Sequence, residues 1–135
     1  MQPRGIRNFN PMNIRLSKDK WKGLAPEQHD PAFFQFSAAV YGIRAAVVIL
    51  RNYQKKYGLN TVSSIINRWA PGLENDTDAY IRAVASDMKV GAEQPLDLSD
   101  HVTLRALVSA IIHHENGMQP YPDNVLDEAI AMAGA

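Results

Sequence analysis

Leu104-Arg105-Ala106-Leu107-Val108-Ser109-Ala110-Ile111-Ile112-His113-His114-Glu115-Asn116-Gly117 is the stretch from which the fold can be worked outward. Leu104, Leu107, Val108, Ile111 and Ile112 recur at steps of three and four, which on an α-helix makes one apolar stripe. Glu115 follows Ile111 by four and Ile112 by three, so its carboxylate falls on that stripe. Gly117 supplies the left-handed residue that commonly closes a helix. A carboxylate on the core-facing side of a helix end is disfavoured in its charged form, and the expectation is an acid held protonated by apolar neighbours. Such an acid is suited to protonating the leaving oxygen of a sugar. The bland alternative is a surface residue at a fraying helix end, since structural ion pairs also perturb carboxylates.

Outward from this helix the chain reads as mainly helical. A first helix is predicted over 38–57, with Val40, Ile43, Val47, Leu50 and Tyr53 inward and Gly58 as its stop. A second begins at Asn60 or Thr61, carries Val62, Ile65, Ile66 and Trp69, and ends before Pro71. A third starts between Asn75 and Thr77, turns Tyr80, Ile81, Val84 and Met88 inward, and runs to Gly91. Ser99 is the expected cap of the Glu115 helix. A last helix spans 123–132 on Val125, Leu126, Ala129 and Ile130. Residues 1–36 are rich in Pro, Asn, Gly and charge, and read as loops with short strands at 13–16 and 33–36. Together these predict an α+β, mainly helical single domain: a loop and strand part to residue 36, then a helical part over 37–135.

Composition narrows the function classes. The 135 residues are 46% hydrophobic and 21% charged, ordinary for a globular chain with a real core. Lys plus Arg and Asp plus Glu both number 14, which gives no basic excess to favour nucleic acid. With no cysteine, disulfides and thiol catalysis are excluded. The longest apolar run, Ala45 to Leu50, is far short of a bilayer span, and Met1 to Gly5 has no apolar stretch behind it to act as a secretory signal.

His113 and His114 invite a metal, but adjacent helical residues point about 100° apart and no His-Glu-x-x-His spacing exists. No metal and no organic cofactor is therefore expected. A second candidate cluster is Trp69-Ala70-Pro71-Gly72-Leu73-Glu74-Asn75-Asp76-Thr77-Asp78-Ala79-Tyr80. Capping of the third helix accounts for Asn75, Asp76 and Asp78. It accounts less well for Trp69 and Tyr80, whose rings are either core or a stacking surface for sugars.

The words Arg4-Gly5-Ile6-Arg7-Asn8-Phe9-Asn10-Pro11-Met12-Asn13-Ile14-Arg15 and Trp21-Lys22-Gly23 resemble a phage and prophage family. Its usual form is RGIRNNNPGNIR followed by W-x-G; Phe9 and Met12 stand where that form has Asn and Gly. The resemblance runs on through Phe33 to Phe36, Gly42-Ile43-Arg44-Ala45, Trp69-Ala70-Pro71 with Glu74, Asn75 and Thr77, then His114-Glu115-Asn116-Gly117 and Pro120-Tyr121. Members are often described only as virion structural proteins. The order of the pieces is also similar to bacterial glucosaminidases and other lysozyme-like peptidoglycan hydrolases. In those, a helix ending in Glu-Ser-Gly precedes an Asn-rich loop, a Trp-x-Gly turn and a Phe-x-x-Phe strand. The resemblance implies a circularly permuted lysozyme-like domain, and permutation is tolerated where termini lie near each other on the surface.

It further implies a glycosidase of the muramidase or lytic transglycosylase kind, acting on β-1,4 bonds of peptidoglycan. Glu115 would be the general acid, with Glu74 or Thr77 (Asp76 being a further choice) holding a water. Asn10, Asn13, Arg15, Trp69, Tyr80 and Tyr121 would bind the glycan. Its partners would be glycan strands and, in a particle, other virion or secretion proteins. Neither nucleic acid nor stable membrane insertion is expected, and a protein made in the bacterial cytoplasm would reach the wall by lysis machinery, virion or secretion apparatus. The alternative is a non-catalytic virion or secretion-apparatus component that uses the same groove to bind glycan or a partner.

Overall fold

In the computed structural model, Leu104, Leu107, Val108, Ile111 and Ile112 are all fully buried, as their spacing predicts. The model describes residues 2–72 and 74–134, with Glu74 and Asn75 described only for their place in a helix. The stripe belongs to α5 (His101–Asn116). Withdrawing each of its aliphatic side chains from water contributes about 1.5–3 kcal/mol. That burial is shared with α4 (Glu74–Met88), which packs along it, and with α6 (Asp123–Met132), which covers another side. The core continues into α2 (Ala39–Tyr57) and α3 (Val62–Trp69): α2 packs on α6, and α3 on α4. One apolar cluster therefore runs from Met12 through Ile43, Ile66, Val84 and Ile111 to Ile130.

The helix boundaries follow local chemistry. Gly58 closes α2 at φ 66°. Thr61 caps α3 in a reciprocal capping box with Ser64. Two predicted ends move. Lys89, at φ 59°, turns the chain out of α4 before Gly91 is reached, and the Val90 amide closes the end on the Ala85 carbonyl. Asp100, not Ser99, caps α5 by accepting from the Thr103 amide, because Ser99 is turned back onto the Asp97 carboxylate.

The N-terminal segment differs most from its prediction. A one-turn helix, α1 (Arg4–Arg7), packs against α5 where a loop was expected. Among the described residues the predicted strands reduce to two isolated antiparallel bridges, Arg15 with Phe33 and Leu24 with Phe36. The physical reason is side-chain competition for the backbone. The Asn10 amide takes the Ile14 and Phe34 carbonyls, and its oxygen takes the Ile14 N–H, so a ladder cannot extend. The segment is held instead by Asp30. Its carboxylate accepts from the Arg4 guanidinium at 2.7 Å, from Asn8, and from the Ala32 and Phe33 amides. These donors, Arg4 first, hold the Asp30 carboxyl far below the usual carboxylate range.

Gly42 shows why the loop and α2 fit. A Cβ there would lie 2.0 Å from the Phe9 carbonyl oxygen, so a helix interior that would ordinarily favour alanine must be glycine.

Candidate active site

α5 brings Glu115 to the mouth of the core. Its apolar stripe locks the helix in place, and the side chain emerges half-exposed in the last turn, just before Gly117 (φ 71°) stops the helix. Among the described residues each carboxylate oxygen has one donor. The Asn13 amide gives a hydrogen bond to Oε1 at 2.7 Å, and the Tyr80 hydroxyl gives one to Oε2 at 2.7 Å. The apolar niche expected around this group is thus replaced by an amide and a phenol, because the side chain leaves the stripe where α5 meets the N-terminal loop and α4.

Both donors are held in place. Asn13 adopts φ 55°, a left-handed conformation that Asn tolerates better than most residues, and its N–H returns to the Asn10 carbonyl. Beside it, the Asn116 amide donates to the Pro11 carbonyl at 2.7 Å and to Ile112, tying the helix end to the same loop. Gly5 lets these amides close in, since a Cβ there would fall 2.7 Å from Asn116 Oδ1 and 2.9 Å from Asn13 Oδ1. Tyr80 is 5% exposed and lies against the His114 ring at 3.9 Å between centroids. Burial, and then the neighbouring Glu115 charge, push its phenol far above the usual tyrosine range, so it remains a proton donor.

Glu115 opens into a cleft of about 480 Å³. Asn13, Ile14, Arg15 and Phe33 form one part of its lining, and Ile49, Tyr53, Arg68 and Trp69 another. The turn from Ala70 to Gly72 with Asp76, Thr77 and Tyr80 completes it. A cleft of this size with aromatic lining and a few converging polar groups fits a small ligand or a short stretch of polymer. Trp69 meets Tyr53 edge-on at 6.3 Å, leaving both rings half-buried at the surface of the cleft.

No protein-family model matches the sequence. The chain is 46% identical over 121 residues to Protein P5 of Pseudoalteromonas phage PM2, a match covering 87% of this chain and 74% of that protein. The chain belongs to the family of that phage protein. A bacteriophage association is therefore established, and the chemistry has to be argued from the cleft.

In this member of the P5 family, seven of the residues singled out from sequence converge on the cleft: Glu115, Asp76, Thr77, Asn13, Arg15, Trp69 and Tyr80. Thr77 is buried, and its hydroxyl donates to the Ala70 carbonyl at 3.1 Å, which leaves only its lone pairs for a water. The Glu74 side chain lies outside the described residues. Two expectations are corrected. Asn10 is fully buried and fully occupied with backbone, so it shapes the loop and does not meet a ligand. Tyr121 is half-buried against the core and away from the cleft lining. Burial there raises its phenol above the usual range.

The histidines have other engagements: His113 with Asp87 at 2.7 Å, His101 with Asp127 at 2.6 Å, His29 with Glu27 at 3.0 Å, and His114 on Tyr80. Among the described residues no three acidic or imidazole groups gather as a metal site, and no helix is long and apolar enough to cross a membrane. Phe33, Ile49, Tyr53 and Arg68 join the cleft unannounced by sequence. No spacing links them, and Phe33 figured only as the start of the short strand predicted at 33–36.

Proposed function

We propose that the cleft is the active site of a peptidoglycan-cleaving glycosidase in which Glu115 is the general acid. The observation that carries this is the geometry of one carboxylate. It is gripped by Asn13 and Tyr80 and faces a groove lined with Phe33, Tyr53 and Trp69. Aromatic faces suit the apolar faces of sugar rings, and a fixed acid suits the glycosidic oxygen between two of them. In its protonated form Glu115 gives its proton to that oxygen, which leaves with one sugar, as positive charge develops at the anomeric carbon of the other, whose bond to the oxygen is breaking. The carboxylate it leaves is then stabilised by the amide and the phenol already aimed at it.

The finer fold assignment, a circularly permuted lysozyme-like domain, has support in the same place. The Glu115–Gly117 helix end lies directly against residues 5–13, bonded through Asn116 to Pro11 and through Asn13 to Glu115. The two pieces that follow one another in lysozyme-like enzymes therefore meet in space, although about a hundred residues separate them in this chain. Among the described residues Asp76 is the other acid of the cleft lining, exposed at its edge. A water held there and at Thr77 would give hydrolysis. Closure by the sugar's own 6-hydroxyl would need Glu115 alone and give an anhydro end.

Mass spectrometry of products from purified peptidoglycan tests the proposal. Muropeptides with a new reducing or anhydro end are expected from the native protein. Folded Glu115→Gln should release them about 10²- to 10⁴-fold more slowly. Release at the native rate by that variant would refute the assignment.

A further inference from the structure

We infer that Arg15 and Arg68 make the cleft selective for glycan strands carrying carboxylates on their lactyl branches, in preference to neutral amino-sugar strands. The inference rests on the glycan-cleaving reading of the same cleft.

The two arginines are set apart from most others by how they are held. Arg4 and Arg105 are tied to carboxylates, Asp30 and Asp127. Arg44 and Arg51 donate to backbone carbonyls at the C-terminal end of the chain. Arg15 and Arg68 both line the cleft and are exposed, and neither has a carboxylate partner among the described residues. Each is placed by aromatic faces. The Arg15 guanidinium lies 5.2 Å from the centre of the Phe33 ring. That of Arg68 lies 3.9 Å from Tyr57 and 5.3 Å from Tyr53.

A guanidinium on a ring is held through its flat face, which leaves its N–H edges free to fork onto an oxyanion. Planar, bidentate pairing of that kind is what carboxylate recognition requires. Phe33 also has Arg4 over it at 4.7 Å, but Asp30 already consumes that cation. Of the described acids in the lining, Glu115 is engaged by Asn13 and Tyr80, and Asp76 lies exposed in the first turn of α4, one residue before Thr77. Arg68 also reaches the Tyr53 hydroxyl, which takes part of its edge, so the cleft offers two pre-placed cations with the remaining N–H groups of their five-donor forks left for an anion.

An alternating amino-sugar strand supplies that anion in one of two ways. Where the stem has been removed, the lactyl group ends in a free acid; where it is present, the stem peptide carries the acid groups. A strand built only of N-acetylglucosamine has neither.

Binding to folded Glu115→Gln, measured by calorimetry, separates the cases without turnover. The probes are an N-acetylglucosamine tetramer, an alternating tetramer with free lactyl acid, and the same tetramer bearing stem peptides. At least one acid-bearing probe is expected to bind about tenfold more tightly than the neutral one. Whichever does so identifies the source. That preference should weaken with added salt and vanish when Arg15→Ala and Arg68→Ala are added, both being exposed positions that folding tolerates. Equal binding of all three probes, or a preference that survives the double replacement, overturns the inference and leaves the glycosidase proposal standing. Failure of all three to bind, with no product from the native protein, overturns both.

Discussion

Replacing Gly42 by Ala should destabilise the protein and weaken the proposed glycan-cleaving activity together, although helix propensity alone gives the opposite sign. Alanine in a helix interior is favoured over glycine by about 1 kcal/mol. Here the new Cβ would lie 2.0 Å from the Phe9 carbonyl oxygen and 3.1 Å from the Asn10 Cα. A carbon meeting a carbonyl oxygen settles at about 3.3 Å or beyond, so the loop must retreat by more than about 1 Å. The obstacle is backbone and cannot swing aside as a side chain does. Overpacking of this kind costs about 1–3 kcal/mol, and its upper end is appropriate to a backbone clash. After the propensity gain, a net loss of about 2 kcal/mol remains. For a chain of this length that lowers Tm by roughly 6–10 °C. The same retreat pulls Asn13 from Glu115 Oε1, now 2.7 Å away. A 1 Å misplacement in a catalytic arrangement can cost as much as about 10²-fold in rate. Thermal unfolding and muropeptide release, measured on one preparation, check both parts. A variant more stable than the native protein would refute the packing argument, and a destabilised one with full activity would refute the link from loop to acid.

Phe9 is exposed at 45% yet holds φ 52°, so Phe9→Asn should raise stability by about 0.5–1 kcal/mol, seen as a higher urea midpoint; a lower midpoint would show that the ring matters more than the backbone. Asp30, depressed by Arg4 and its backbone donors, contributes stability that is present above the ordinary carboxylate pKa of about 3.9 and is lost as pH falls toward its folded value. Thermal midpoints between pH 2 and 6 should therefore drop on the acid side, and Asp30→Asn should flatten that drop while lowering the neutral-pH midpoint. Tyr80, raised by burial, works at the other end: its contribution is intact below about pH 10 and declines as pH climbs beyond, because the unfolded phenol ionises first. Alkaline unfolding in that range should be weaker in Tyr80→Phe, and an unchanged alkaline limb would count against the buried phenol.

What the sequence disclosed was what neighbours along the chain decide. The stripes of α2, α3, α5 and α6, the start at Thr61 and the stops at Gly58 and Gly117 depend on residues within a turn or two, so their spacing sufficed. The end of α4 did not, because Lys89 takes a left-handed conformation usually left to glycine or asparagine. Between Ser99 and Asp100, both suitable caps, the choice turned on Asp97, which claims the serine. α1 escaped notice for a different reason. A single turn has no stability of its own, and this one is held by Asp30, 26 residues away from Arg4, and by its packing on α5. Met12 also departs from the glycine of the usual motif without harm: its φ is not positive, and its fully buried side chain fills the core beneath the loop. The turn takes its left-handed residues at Phe9 and Asn13 instead.

The candidate site shows the same division. Glu115 was legible from the phase of one helix, but its surroundings were not, since its donors come from positions 13 and 80 and meet it only through the packing of α1 and α4 on α5. Asparagines at 10 and 13 look alike in sequence. One is consumed by backbone inside the loop, and the amide of the other is turned by that loop onto Glu115. That sequential dependence gives the acid its precision. A free glutamate side chain has about 1.5–2 kcal/mol of rotamer entropy to lose before it can act from one position. With one donor on each oxygen, and Asn116 fastening the helix end to Pro11, the fold has already met that cost before any ligand arrives. A ligand entering the cleft then meets a carboxyl group already oriented, which is what preorganised acid catalysis requires and a mobile surface glutamate does not provide.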